Sequence, residues 1–278
     1  MSYAAPPPPS MPPMPPSPPS GAARRSRTPW FVAALAALVA IAAVVALVVV
    51  LATGDDSDSG RGADRGFDSP EEAARFMVER LADGDAGAAA EAFAVDSVVD
   101  GYDFEALAER LRVLQFNTWL PGGSTGYDDL NREVRRGEVA AELRSVVRSV
   151  LVPDVDFTQT VPVDGDQTAA GLATDLDPAP LSELSVVRVD DVDRDDDRYR
   201  ESLEQQAAIF GADEMRTVAM LLDTAEGQMM GGATAVRYGD DWALMQLSAP
   251  LLNLSPSRFE RVTEQDYQDA VDSARGTD

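Results

Sequence analysis

The chain contains no cysteine, no histidine and no lysine, so all 23 of its basic residues are arginines. Without cysteine, the fold cannot depend on disulfide bonds and has to bury a core of its own. The same absences exclude a histidine-assisted serine triad, a cysteine nucleophile, a Schiff-base lysine, a Walker-type phosphate loop and an ordinary zinc site. Only carboxylates, hydroxyls and arginine remain for catalysis, and we therefore expect a non-catalytic protein.

One long apolar run is present, and it extends without a charged residue from Trp30 to Ala52. As a helix, this run would cover roughly 34 Å, which is enough to cross the hydrocarbon core of a bilayer. Arg24, Arg25 and Arg27 precede the run, so the preference of arginine for the cytoplasmic side places the N-terminus inside the cell. We expect a single-pass anchor in the cell membrane with an extracytoplasmic C-terminal domain. A cleaved signal peptide is the alternative, and it places the same domain outside.

Composition divides the chain into four predicted segments. Residues 1–28 form a proline-rich cytoplasmic tail without helix or sheet, which is either a docking ligand or an unconstrained tail. Residues 29–53 form the transmembrane helix, and residues 54–66 form a flexible acidic linker. Residues 67–278 form the extracytoplasmic part, as one domain or as two.

The part of the chain after the apolar run is strongly acidic. It holds 20 arginines and all 48 acidic residues, which gives a formal charge of −28. Such a surface repels nucleic acid and anionic lipid, so we expect no nucleic-acid partner. Cationic partners and divalent ions are compatible with this charge.

Helices are predicted in the first half of this part. Ser69, Pro70 and Glu72 have the pattern of an N-cap, a first helical residue and a capping box, and Gly84 ends that helix. Short helices are predicted over residues 86–94 and 104–114, and the second should bury one stripe of apolar residues: Phe104, Leu107, Leu111 and Leu114. Trp119 should pack back on the domain from a loop. A longer helical stripe follows over residues 130–151, with an interruption at Gly137.

Strands are predicted mainly in the second half of this part. Residues 155–163 and 167–174 are candidate strands around a hairpin signal, and residues 184–189 are another. A helix over residues 199–210 precedes the clearest pattern, an antiparallel meander of residues 217–222, 233–238 and 242–247. Gly231 and Gly232 suggest a bulge that bends this sheet. A last helix is predicted to begin near Ser255. Helices first and a meander later predict an α+β fold.

Two stretches resemble a known family. The residues FDSPEEAARF from Phe67 and the alanine-rich stretch to Phe93 resemble the opening of extracytoplasmic NTF2-like (SnoaL-like) domains of high-GC Gram-positive bacteria. Residues 236–247 resemble the last hairpin of those domains. The resemblance implies helices packed on a curved antiparallel sheet that forms a cone, used for ligand pockets, subunit contacts or accessory roles. This chain is longer than a typical cone, so the cone is expected to be enlarged, and no catalytic residue is carried over.

A run of aspartates lies between a predicted strand and a predicted helix, and this run could bind a calcium ion. Asp191, Asp193, Asp195 and Asp197 alternate at a spacing similar to that of calcium ligands. Compared with an EF-hand loop, the run lacks the glycine at the sixth position and has Ser202 in place of the bidentate glutamate. A solvated acidic loop is the alternative.

Asp223 lies in the short sequence LLDTA, which resembles the catalytic signature of retropepsin-like aspartic proteases. Such enzymes need a second aspartate that shares a proton with the first, so this chain would have to dimerise. A carboxylate-based hydrolase centred on Asp223 is therefore one hypothesis. A strand that runs into a turn is the alternative.

Aromatic and methionine side chains of the meander could line a pocket. Met220, Tyr238 and Trp242 are the candidates, either for a small-molecule or lipid site or as ordinary core residues.

We expect the chain to be a membrane-anchored accessory or interaction module of the cell envelope, which binds another envelope protein or self-associates through its sheet. The alternatives are a small-molecule or lipid-binding cone and the hydrolase.

Overall fold

The computed structural model describes residues 64–115, 117–152, 171, 174–192, 194, 196–252 and 259–276. All of these belong to one compact unit, Leu51–Asp278. The predicted tail, the anchor with Arg24, Arg25 and Arg27, most of the linker and the candidate strands over 155–163 and 167–174 lie outside the described residues, apart from isolated positions. Within the described ranges, no helix has the length and apolar character that a membrane span requires.

Helix α1, Pro70–Ala82, forms as its sequence signals predict. Its N-cap Ser69 accepts a hydrogen bond from the amide of Glu72 at 3.1 Å, and the Glu72 carboxylate accepts one from the amide of Asp68. Gly84 has a left-handed φ of 76°, which ends the helical path just after the C-cap. Six side chains of α1 are buried: Pro70, Ala73, Ala74, Met77, Val78 and Leu81.

The fold begins before Phe67, where the sequence predicted its start. The Asp64 carboxylate accepts hydrogen bonds from the amides of Val95, Asp96 and Ser97 at 2.7 to 3.0 Å. These amides are at the start of a short helix, where the helix itself offers them no partner. The end of the predicted linker is therefore part of the domain.

Four further helices precede the sheet: α2 over Ala86–Ala90, α3 over Asp96–Asp100, α4 over Phe104–Leu111 and α5 over Thr125–Leu151. Helix α5 continues through Gly137, so the predicted interruption there is wrong. A single glycine lowers helix stability by only about 1 kcal/mol, which tertiary packing of a 27-residue helix readily outweighs. A 3₁₀ turn, Ala179–Glu183, leads into the first strand.

The sheet is a curved antiparallel meander, as predicted. Strands β1 (Ser185–Asp191), β2 (Glu214–Thr224), β3 (Gly227–Tyr238) and β4 (Asp241–Gln246) pair in sequence order, and the short β5 (Glu260–Arg261) pairs with β3. Helix α6 (Asp197–Ile209) connects β1 to β2. A 3₁₀ turn, Pro250–Leu252, and helix α7 (Glu264–Arg275) follow β4. Helix α7 thus begins about nine residues later than predicted.

No bulge occurs at Gly231 and Gly232, because the pairing of β2 with β3 is continuous from Glu214 to Thr224. The register shifts instead at Val187 in β1, and at Met245 in β4 opposite Thr234 and Ala235 of β3. The two glycines have another use: a Cβ on Gly231 would collide with the ring of Phe259, and one on Gly232 with Ala249. They let segments on both faces of the sheet approach the backbone closely.

Apolar side chains cover both faces of the sheet. One face packs against α1 and the C-terminal half of α5, and its strand residues include Val218, Met220, Leu222, Leu244 and Trp242. The opposite face is covered at one end by α7 and at the other by α3 and α6. These layers, helices on each face of a single sheet, make the described chain an α+β fold.

Candidate functional site

A cleft opens between α4, the loop 112–121, α5 and the end of β4. Three aromatic rings form one wall of it: Tyr102 and Trp119 lie 5.3 Å apart, Tyr102 and Phe210 6.0 Å, and Trp119 and Phe210 6.1 Å between ring centroids. At these separations the rings contact one another and form a continuous apolar surface. Tyr102 follows α3, Trp119 lies in the loop, and Phe210 ends α6.

The loop that carries Trp119 is held against α5. The Trp119 indole donates to Glu138 Oε1 at 3.2 Å, which confirms that this side chain packs back on the domain. The Asn131 side chain, which is buried, accepts from the Leu120 amide at 2.9 Å and donates to the Leu120 carbonyl at 2.8 Å. Side chains of α5 therefore position the Trp119 part of the aromatic wall.

Arg135 forms the floor of the cleft and is only 3% exposed. Its Nε donates to the carbonyl of Ala94 at 3.1 Å, its Nη2 donates to the carbonyl of Met245, and its Nη1 lies 3.6 Å from Glu138 Oε2. Met245 is the extra residue at the register shift between β3 and β4, because Leu244 and Gln246 pair with consecutive residues of β3. Arg135 therefore supplies a partner to a carbonyl that a bulge removes from regular pairing.

Glu142 lies beside Arg135, one turn further along α5 from Glu138. Its Oε2 accepts from the amide of Leu247 at 2.6 Å. Burial raises the pKa of the Glu142 carboxyl, and the hydrogen bond from Leu247 and the charge of Arg135 oppose that rise. Burial also lowers the pKa of Arg135, while Glu142 and Glu138 oppose that change. Two carboxylates and one arginine thus line a partly dry site with a formal charge of −1.

The volume of this open cleft is about 380 Å³. Its lining includes the aromatic wall, the three charged residues of α5, and apolar side chains from α4 and β4: Leu107, Leu111 and Met245. Such a space is large enough for a small organic molecule or for one or two side chains of a partner.

Helix α4 forms the rim of this cleft, and here the structure differs from the prediction. None of the eight described residues of α4 is buried, and Leu111 and Leu114 are 43% and 47% exposed. The expectation that α4 packs its apolar stripe into the core is wrong, because α4 lies against α6 rather than against the sheet, and α3 and α6 already cover that end of the sheet. The stripe faces the cleft and the solvent instead, and Val113 beyond the helix is 70% exposed.

The three candidate pocket residues of the meander do not come together. Met220 is fully buried on the face that packs against α1, and Trp242 is 6% exposed on that same face. Tyr238 lies on the opposite face and donates to the carbonyl of Phe210 at 2.9 Å. Alternation along neighbouring strands separates these side chains, so they do not line one pocket.

The predicted calcium ligands are described only in part. Asp191 forms an ion pair with Arg216 at 3.1 Å at the end of β1, and Asp197 forms one with Arg200 at 2.8 Å in the first turn of α6. Asp193 and Asp195 lie outside the described residues. Among the described residues, no group of three or more acidic side chains is arranged to hold a metal ion.

Asp223 is exposed near the end of β2. Its register partners are Ser185 on β1 and Gln228 on β3, so neither neighbouring strand places a carboxylate beside it. Within the described part of the chain, neither β1 nor β3 supplies the second aspartate that the protease hypothesis requires.

Sequence patterns did not identify Arg135 and Glu142 of the cleft, nor Asn131 beside it, as site residues. A signal for them exists: Asn131, Arg135 and Glu142 interrupt the buried face of α5 at helical spacing, and polar residues on a buried face are rare unless they have partners. Their partners are backbone groups of Leu120, Ala94, Met245 and Leu247, which the sequence of α5 alone does not identify.

No protein-family model matches this chain, and no curated protein matches it. Among solved structures, a cystatin-like protein from Ruminococcus gnavus ATCC 29149 is similar, with a TM-score of 0.49 and 15% sequence identity. The match covers 76% of this chain and 45% of the other, so it spans less than half of that protein's length.

Proposed function

We propose that this chain is a non-catalytic binding module of the cell envelope, anchored by a single membrane span, with its domain on the extracytoplasmic side. The finer architecture we propose is an enlarged NTF2-like cone. The observation that carries the proposal is the cleft rim: α4 is amphipathic, yet none of its apolar residues is fully buried, and Leu111 is exposed beside an aromatic wall. Apolar groups gathered at an open cleft are typical of interaction sites.

The charge of the cleft supports one kind of partner. The floor contributes a formal charge of −1 from Arg135, Glu138 and Glu142, and the extracytoplasmic part as a whole carries −28. The rim and wall offer leucine side chains and three aromatic rings. A protein segment that combines apolar side chains with positive charge fits both properties, since a cation over an aromatic face is stabilised as well.

Site-specific photocrosslinking of the full chain in its membrane tests this function. A benzoylphenylalanine at position 111 should form a discrete adduct with a partner, and Trp119→Ala should reduce that adduct because it removes the wall. The same group at Arg75, an exposed residue of α1, is the control and should give none. Equal crosslinking at both positions would contradict the proposal.

A small-molecule site is the second candidate, and the volume of about 380 Å³ favours it. In that case the adduct at position 111 would have the mass of a small organic compound rather than of a protein. Asp223→Asn distinguishes the hydrolase hypothesis from the protein-binding and the small-molecule hypotheses. A binding module keeps its adduct in that variant, whereas any hydrolytic activity centred on Asp223 would be lost.

A further inference from the structure

The hydroxyl of Tyr102, in the aromatic wall of the cleft, is buried without a hydrogen-bond partner in the described part of the chain. Tyr102 as a whole is only 7% exposed. Two other tyrosines of the domain do have partners: Tyr238 donates to the carbonyl of Phe210 at 2.9 Å, and Tyr267 donates to Asp190 Oδ2 at 2.7 Å. Because burying an unpaired hydroxyl is unfavourable, the unmet hydrogen bond of Tyr102 points to a ligand group that completes it.

Tyr102 lines not only the cleft but also a second open space next to it, with a volume of about 840 Å³. We refer to this space as the acidic pocket, because four carboxylates line it: Asp100, Asp103, Glu105 and Asp128. No arginine of the described chain is among its lining residues, and of the four carboxylates only Asp100 has an ion pair there, with Arg132. The acidic pocket therefore has a strongly negative potential.

Backbone amides fix two carboxylates of the acidic pocket in place. Asp103, the N-cap of α4, accepts a hydrogen bond from the amide of Ala106 through Oδ1 at 2.9 Å, and Asp128 accepts one from the amide of Gly123 through Oδ1 at 3.1 Å. Each of these bonds uses one oxygen, so each carboxylate can accept further hydrogen bonds through its second oxygen. The pocket thus offers positioned acceptors to a donor from outside the domain.

The Tyr102 hydroxyl lies within the electric field of this pocket. Burial raises the pKa of the hydroxyl, and the negative charge of Asp103 raises it further. The hydroxyl therefore stays protonated at neutral pH, and the potential at its oxygen favours a positive group over a negative one. A cationic nitrogen would donate to this oxygen and would also be attracted by the carboxylates and by the faces of the aromatic rings.

We infer that Tyr102 accepts a hydrogen bond from an ammonium or guanidinium group of the molecule that occupies the cleft, with Asp103 as a counter-charge. This inference rests on the proposed binding function and adds the position at which the positive charge is bound. The hydroxyl oxygen is covered in the free chain, so the occupant has to displace part of the rim. Helix α4 buries none of its side chains and can therefore move at low cost.

Two probes with the same alkyl chain and opposite charges test the inference. Pentylammonium and pentanoate are titrated separately into the full chain in lipid nanodiscs, and ligand-observed NMR measures their dissociation constants. Pentylammonium should bind and pentanoate should not. Tyr102→Phe should weaken the binding of pentylammonium by about tenfold, because a hydrogen bond from a charged donor is lost. Binding of pentanoate that Tyr102→Phe abolishes would overturn the inference, since the hydroxyl would then serve an anion.

A matched pair of helix caps separates this site from the general attraction of an acidic chain for cations. Asp103→Asn removes the charge but keeps a side chain that caps α4 equally well, and it should weaken pentylammonium several-fold. Asp85→Asn is the same change at the N-cap of α2, where Asp85 accepts from the amide of Ala88 at 2.8 Å. Asp85 lines neither the cleft nor the acidic pocket, so this variant should bind as the wild type does.

The melting temperature of the free chain provides the second arm. Tyr102→Phe should leave it unchanged or raise it, because the variant loses a polar atom that has no partner. A lower melting temperature would overturn the inference, as would equal weakening of pentylammonium by Asp103→Asn and Asp85→Asn or binding that Tyr102→Phe leaves unchanged. The adduct at position 111 tells the two proposals apart. A wild-type adduct no stronger than that at Arg75 contradicts the proposed function, whereas an adduct whose yield is the same in Tyr102→Phe overturns this inference alone.

Discussion

Helices α1 and α4 both have apolar residues at helical spacing and an N-cap side chain that accepts a hydrogen bond, but they differ in where those residues lie. Helix α1 buries six side chains against the sheet, whereas α4 buries none of its eight described residues. The difference arises from position, because α1 packs directly on the sheet, whereas α4 lies against α6, which already covers that end of the sheet. Periodicity therefore predicts a helix more reliably than it predicts what the helix packs against.

Substitutions in the floor of the cleft should lower the free energy of unfolding as much as substitutions in the core, although the rim of the cleft is exposed. Arg135→Ala leaves the carbonyls of Ala94 and Met245 and the carboxylates of Glu138 and Glu142 without their cation. We expect the free energy of unfolding to fall by about 3 to 5 kcal/mol. Arg136→Ala is the matched control, since its ion pair with Glu133 at 2.6 Å is exposed, and it should cost less than about 0.5 kcal/mol. Urea denaturation of the full chain in detergent measures both, and equal losses would mean that Arg135 is not a structural floor.

A pair of truncations tests the comparison of α1 with α4 directly. Met77→Ala removes a fully buried side chain of α1 and should lower the free energy of unfolding by about 2 to 5 kcal/mol. Leu111→Ala removes a side chain that is 43% exposed on α4 and should change it by less than about 0.5 kcal/mol. The measurement is again urea denaturation. A large loss from Leu111→Ala would show that the rim contributes to the core after all.

Glu142 should give the cleft a pH dependence that the α1 side lacks. Its pKa is raised in the folded chain above the ordinary value of 4.5, so ionisation is less favourable there than in the unfolded chain. Relative to Glu142→Gln, the wild-type chain should therefore be most stable below pH 4.5 and lose stability as the pH rises through the folded pKa. Denaturation across a pH series measures the difference, with Glu133→Gln as an exposed control that keeps the wild-type dependence. A difference that stays constant with pH would contradict the burial effect.

Most of the described secondary structure follows from local patterns. The capping residues of α1, the end at Gly84 and the meander of β2, β3 and β4 depend on side chains within a few residues of each other, and all three were predicted. Strands β2 and β3 are nevertheless about twice as long as the predicted 217–222 and 233–238. The positions of the candidate pocket residues were not predicted. Whether Met220, Tyr238 and Trp242 line one pocket depends on which face of the sheet each side chain lies on. Strand register decides that face, and a shift of one residue reverses it.

The candidate site depended on contacts between distant segments. Arg135 and Glu142 bind backbone groups that lie about a hundred residues away in sequence, at the bulge and end of β4, as well as Ala94. The sequence of α5 marks these residues as polar on a buried face but does not show which groups they satisfy. The same holds for the wall, where Tyr102, Trp119 and Phe210 come from three separate segments.

The sequence by itself determined the exclusion of histidine, cysteine and lysine chemistry, the acidic charge, the predicted membrane anchor and the alternation of helix and strand, because each of these is set by composition or by neighbouring residues. Only the tertiary structure decided that α4 stays at the surface, that Asp64 belongs to the fold and that Arg135 lies beneath an aromatic wall. These three features depend on which surfaces of the domain other segments already cover, and close packing in three dimensions determines that.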